Sequence, residues 1–139
     1  MRLQPVPALD DNYIWLLRDD AGRAVIVDPG DAVPVLAALD DAPPPHAILV
    51  THHHPDHVGG IPDLLDQWPG LPVFAPADPR IPIATQRVRE GDVLALGPWA
   101  FRALELPGHT RSHLGYIADG VLFCGDTLFS LGCGRLFEG

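Results

Sequence analysis

Thiols are scarce in this chain: Cys124 and Cys133 are its two cysteines in 139 residues, too few for a disulfide scaffold. Cys124 reads as a small residue at a strand end and Cys133 as a loop residue between glycines. There is no charged-then-apolar start and no apolar run long enough to cross a membrane, which together with the few thiols fits a reducing, cytoplasmic home. Positive charge is scarce too. Nine basic residues face eighteen acidic ones, and a net charge of −9 argues against nucleic acid or another polyanion as partner. Internal repeats and low-complexity linkers are absent. What is present is 47% hydrophobic, enough for a core, so residues 1–139 are read as one domain.

Short apolar runs bounded by Gly, Pro or Asp predict strands at Asn12 to Leu17, Ala24 to Asp28, His46 to Thr51, Leu71 to Ala75, Val93 to Leu96, Ala100 to Leu106, Leu114 to Ala118 and Val121 to Cys124. Helical spacing follows Asp31, where Val33, Leu36 and Leu39 recur with Pro34 in the first turn, and returns from Gly60 to Trp68. The Pro-rich stretch from Ala42 to Pro45 connects a helix to a strand, and Pro76 to Pro82 reads as a loop bordering a site. Trp15, Trp68 and Trp99 read as packing residues.

The densest chemistry lies at Thr-His-His-His-Pro-Asp-His, residues 51–57. Imidazoles and a carboxylate at this density suit a borderline-soft divalent ion such as zinc, and an open coordination position would make the centre hydrolytic. The preceding apolar run from His46 to Thr51 places His52, His54, Asp56 and His57 just past the carboxyl end of a strand. In extended chain, positions two apart point the same way, so His52, His54 and Asp56 are expected to converge while His53 points elsewhere and His57 approaches from the helix that follows. A structureless surface histidine cluster is the bland alternative, and the interior position, Asp56 and the strand-to-helix setting weigh against it. Two more candidate ligands, His109 in Pro-Gly-His-Thr and Asp126 in Cys-Gly-Asp-Thr, each follow an apolar strand beside a glycine. His113 is expected to support a ligand, Asp28 to be a structural or orienting carboxylate, and His46 and His53 to be ordinary strand-end and loop residues.

The series HxHxDH, GHT, GDT resembles the metallo-β-lactamase superfamily of binuclear hydrolases, and the segment from Gly125 to Gly139 is similar to glyoxalase II, hydroxyacylglutathione hydrolase. Asp11-Asn12-Tyr13 and Val27-Asp28-Pro29-Gly30 also look like that family's opening strands, so the resemblance spans the chain. It implies an α/β (α+β) αββα sandwich. It further implies two divalent ions, zinc with iron or manganese as alternatives: His52, His54 and His109 on one, Asp56 and His57 on the other, and Asp126 bridging. Asp56 and Asp126 become the catalytic carboxylates. Arg135 is assigned to the glutathione part of the substrate, and Phe137 stands where many members carry tyrosine, which removes one hydrogen bond.

The implied reaction is hydrolysis of S-D-lactoylglutathione, a small-molecule glutathione thioester, to D-lactate and glutathione in methylglyoxal detoxification. Family members continue past the position of Gly139 with the last histidine of the second metal site and a helical substrate-binding domain. The chain therefore reads as the N-terminal part of the fold, with an incomplete second site, an inner sheet face left bare, and self-association as the expected consequence. The alternatives are a metal-binding fragment without turnover, or another hydrolase or a persulfide dioxygenase of the same fold.

Overall fold

The computed structural model describes residues 2–8, 12–105, 113–124 and 127–129, and of Asn12, Asp56 and residues 127–129 the backbone only. Two sheets face each other. The first has the order β1 (Arg2–Ala8), β2 (Asn12–Arg18), β3 (Ala24–Val27), β4 (Ala47–Leu49), β5 (Val73–Pro76), β6 (Gln86–Val88). The second is antiparallel, in the order β11 (Thr127–Phe129), β10 (Val121–Cys124), β9 (Leu114–Ala118), β8 (Trp99–Glu105), β7 (Val93–Leu96). Helices α1 (Ala32–Ala38), α2 (Pro55–Val58) and α3 (Ile61–Gln67) interrupt the first sheet's connections.

β3, β4 and β5 are parallel and buried at every residue, which explains their unbroken apolar character: both faces are covered. On one face α1 and α3 pack through Val35, Ile61 and Leu64 against Ile14, Ile26 and Ile48. The other face presents Leu17, Val25 and Leu49 to Phe101, Tyr116 and Phe123 of the second sheet, forming a second apolar layer. The expectation of a bare inner face is therefore corrected. Both sheets lie within the described residues, and their inner faces cover each other. Among the described residues, α1 and α3 lie on the first sheet's side of the sandwich.

Four elements escaped the sequence patterns, among them β11, three residues at the edge of the second sheet. β1 carries Pro5 and Pro7, which cannot donate to a ladder, but it is an edge strand and needs partners on β2 alone. β6 is polar and mostly exposed, again at an edge. α2 starts at Pro55, whose fixed φ suits a first helical turn, and this ends the extended chain expected to run through Asp56. Asp56 thus lies on a short helix rather than in alternation with His52 and His54.

A close approach of backbones fixes where that helix sits. A Cβ on Gly60 would meet Ala32 N and Asp31 C at 2.6 Å, and Gly60 N–H donates to Pro29 O at 2.8 Å. The Gly59–Gly60 junction can therefore press onto the turn after β3, carrying His57 toward Asp28. No helix among the described residues is long and apolar enough to cross a membrane.

Candidate metal centre

Asp28 follows β3 and Thr51 lies just beyond β4, so the neighbouring parallel strands deliver both to the same end of the sheet, where open α/β sheets place ligands. Asp28 adopts φ of 53°, an uncommon left-handed conformation for a residue with a side chain. Its carboxylate repays that conformation with bonds in two directions. Oδ1 accepts from Thr51 N–H at 2.8 Å, while Oδ2 accepts from Thr51 Oγ1 at 2.6 Å and from His57 Nδ1 at 3.0 Å.

The network also assigns protons. A carboxylate only accepts, so the Thr51 hydroxyl spends its hydrogen on Asp28 and must accept from His52 Nδ1, which lies 2.8 Å away. His52 and His57 therefore both carry hydrogen on Nδ1, which puts the lone pair on Nε2, the nitrogen with which a divalent ion would be bound. Both rings are buried, with centroids 4.2 Å apart. His54 stands at the rim, its ring centroid 4.5 Å from His52 and almost perpendicular to it. His113 is buried and stacks on His52 at 4.7 Å, an ordered position in the cluster rather than a bare surface one.

Among the described residues, Asp28, His52 and His57 place ligand-type atoms within 4.8 Å of one another. Both oxygens of Asp28 are engaged by Thr51 and His57, so we read it as the group that orients the imidazoles rather than as a ligand. The donor chemistry fits a divalent ion: imidazoles oriented through their Nδ1 atoms converge in a buried setting. The side chain of Asp56, and all of His109, Asp126, Arg135 and Phe137, fall outside the described positions, as does Cys133.

Two further contacts were not legible beforehand. Asp78, in the loop after β5, is buried and receives Arg80 Nε at 2.9 Å and Nη2 at 2.8 Å, while its Oδ2 lies 3.7 Å from His53 Nδ1. The Arg80 hydrogen bonds hold its carboxyl below the ordinary aspartate range, and Arg87 Nη1 braces the same loop by donating to Pro76 O and Asp78 O. Tyr116 donates to Val50 O at 2.7 Å, and burial, then the Asp28 charge, pushes its phenol well above the usual tyrosine value. It therefore stays neutral and ties the second sheet to the strand that leads into the site. A long-range partner such as Asp78 or Tyr116 leaves no local motif.

Comparison with known proteins agrees with this geometry. The chain is 57% identical over all 139 residues to a protein named hydroxyacylglutathione hydrolase from Xylella fastidiosa (strain M23), of which it covers 54%. It thus spans about half the length of the curated relatives it matches. Among solved structures, the BLEG-1 B3 metallo-beta-lactamase superposes with a TM-score of 0.79 at 27% identity, covering 93% of this chain and 74% of that one. TTHA1623, solved in a di-iron-bound form, gives 0.73 at 28% identity, covering 91% of this chain and 73% of that one. Residues 8–138 match the model of the metallo-beta-lactamase superfamily, and with the paired sheets and the histidine cluster at their shared end, the chain belongs to that superfamily.

Proposed function

We propose that the protein hydrolyses the thioester of S-2-hydroxyacylglutathione, with S-D-lactoylglutathione giving D-lactate and glutathione, and so removes methylglyoxal-derived thioester in the cytoplasm. Membership of the superfamily implies divalent-metal binding. The observation that carries the reading is the buried His52–His57 pair, with both Nδ1 atoms anchored through Thr51 and Asp28. The match to curated hydroxyacylglutathione hydrolases across this whole chain supports the substrate class.

In this reading His52, His54 and His109 would hold one ion, Asp56 and His57 would hold a second, and Asp126 would complete the ligand set; zinc is the first choice, with iron or manganese as alternatives. Bound divalent ions would supply Lewis-acid polarisation of the thioester carbonyl and acidification of water. Asp126 and Asp56 orient the attacking water and take its proton. A C–O bond forms to the acyl carbon, the C–S bond breaks, and glutathione leaves as thiolate. Arg135 would pair with a glutathione carboxylate, and Phe137, a further substrate-binding position, would lack the hydrogen bond that a tyrosine makes there.

The test is thiol release from S-D-lactoylglutathione by protein stripped with chelator and reloaded with zinc, iron or manganese. Activity should be lost on stripping and return on reloading. Protein that binds metal yet releases no thiol would overturn the assignment.

A further inference from the structure

A cavity of about 280 Å³ opens beside the histidine cluster, lined by Val88, Arg89, Glu90, Glu105, His113 and Leu114 among others. His113 connects it to the site, because its other neighbour is His52, on which it stacks at 4.7 Å. A water takes about 30 Å³ in the liquid, so the space suits an acyl group of a few carbons.

Glu105 is placed there by strand geometry. Along β8, Trp99, Phe101 and Ala103 point into the core between the sheets, and Glu105 continues that face to where the core ends and the chain becomes exposed. It pairs in register with Leu114, whose N–H donates to Thr51 O at 2.9 Å, one residue before His52. The carboxylate therefore rides on regular structure tied directly to the site. Arg89 and Glu90 come from the turn after β6, where Asp92 Oδ2 holds Arg89 N–H at 2.8 Å.

We propose that this cavity takes the acyl group of the substrate and that Glu105 determines specificity by accepting the hydrogen bond of its 2-hydroxyl. The inference rests on the thioester-hydrolase reading. A carboxylate is an acceptor only and a 2-hydroxyl can donate, so the match is specific for hydroxylated acyl groups over their deoxy counterparts. Two carboxylates, Glu90 and Glu105, against Arg89 also leave the described lining negative, which disfavours acyl groups that carry a carboxylate of their own.

The experiment compares S-lactoyl-, S-propionyl- and S-succinylglutathione on metal-loaded wild type and Glu105→Ala. A hydrogen bond to a charged acceptor is strong enough that its loss should raise KM for the lactoyl substrate about tenfold or more with kcat little changed. KM for the propionyl substrate should stay put, and the succinyl substrate should improve, more so in Glu105→Arg. Equal effects of Glu105→Ala on the lactoyl and propionyl substrates would overturn the proposal. If wild type turns over no thioester, the hydrolase reading fails, and calorimetric binding of D-lactate against propionate to the loaded protein then judges the cavity. A preference for D-lactate that vanishes in Glu105→Ala upholds the hydroxyl site, and equal binding of the two acids rejects it.

Discussion

Two histidine–aspartate pairs sit at opposite ends of the first sheet. His46, at the start of β4, meets Asp19 Oδ2 at 2.8 Å, and His57, beyond its end, meets Asp28 Oδ2 at 3.0 Å. The contacts are alike in length and chemistry, yet the side chains of the first pair are each 15% exposed and those of the second 2%. The other oxygen of Asp19 closes its own turn, accepting from Ala21 N–H and Arg23 N–H. The other oxygen of Asp28 reaches to the next strand, and through Thr51 the carboxylate orients a second imidazole. The difference teaches that the pair itself is not a functional signal. Function is marked where one buried carboxylate fixes rings that come from separate elements.

The sharpest way to break this comparison is Asp28→Ala. It strips three bonds from Thr51 and His57 at once, leaves buried polar groups uncompensated, and should destabilise the fold by about 3–5 kcal/mol while abolishing tight metal binding. Denaturant unfolding with metal analysis checks both. Asp28→Gly separates the causes, because glycine takes the left-handed φ without strain but supplies no carboxylate. It should fold better than the alanine variant and bind metal no better. Recovery of metal by Asp28→Gly would show that backbone shape, rather than the orienting carboxylate, is what matters at this end.

Thr51→Val comes next, since it removes the relay to His52 and leaves the direct bond from His57 to Asp28 in place. Metal affinity should fall roughly 10–100-fold, the usual effect of losing a group that orients a ligand, and Thr51→Ser should restore it. Nitrogen NMR of the histidine side chains gives a readout independent of turnover: hydrogen on His52 Nδ1 in the wild type, a mixed tautomer in Thr51→Val. An unchanged tautomer would remove Thr51 from the argument.

Much of this was legible along the chain because the signals are local. The strand from Ala47 to Leu49, the histidine-rich turn after it, and the helix over Ile61–Gln67 all follow from residues within a few positions of one another. The choice of Asp28 as an orienting carboxylate was open in the sequence. Its role depends on Thr51, 23 residues away, and His57, 29 residues away, meeting across a parallel strand pair. Asp78 and the edge strand Arg2–Ala8 were missed for different reasons: the first is clamped by Arg80 two residues on and is brought near His53 only by the fold, and the prolines of the second hide a strand that only an edge tolerates. The bare inner face was misjudged because strand count was reckoned against a longer family fold, whereas both sheets are formed within these residues.

The smallest effect is expected at the opposite end of the sheet, from Asp19→Asn. A partly exposed pair of this kind contributes about 1 kcal/mol or less, and its turn bonds can pass in part to the amide oxygen, so unfolding should shift slightly and metal content not at all. The pH dependence gives the sign. His46's hydrogen bond, opposed by burial and aided by the Arg23 and Ala21 N–H groups, lowers the Asp19 pKa from its ordinary 3.8. The ionised form is thus favoured in the folded state, so the stabilisation is fully present above that ordinary value and is lost as pH falls through the lowered one. The wild type's margin over Asp19→Asn should accordingly be flat near neutrality and disappear in acid. A margin that grows in acid would contradict the assigned pair, and loss of metal in Asp19→Asn comparable to that in Asp28→Ala would erase the distinction between a turn clamp and an orienting carboxylate.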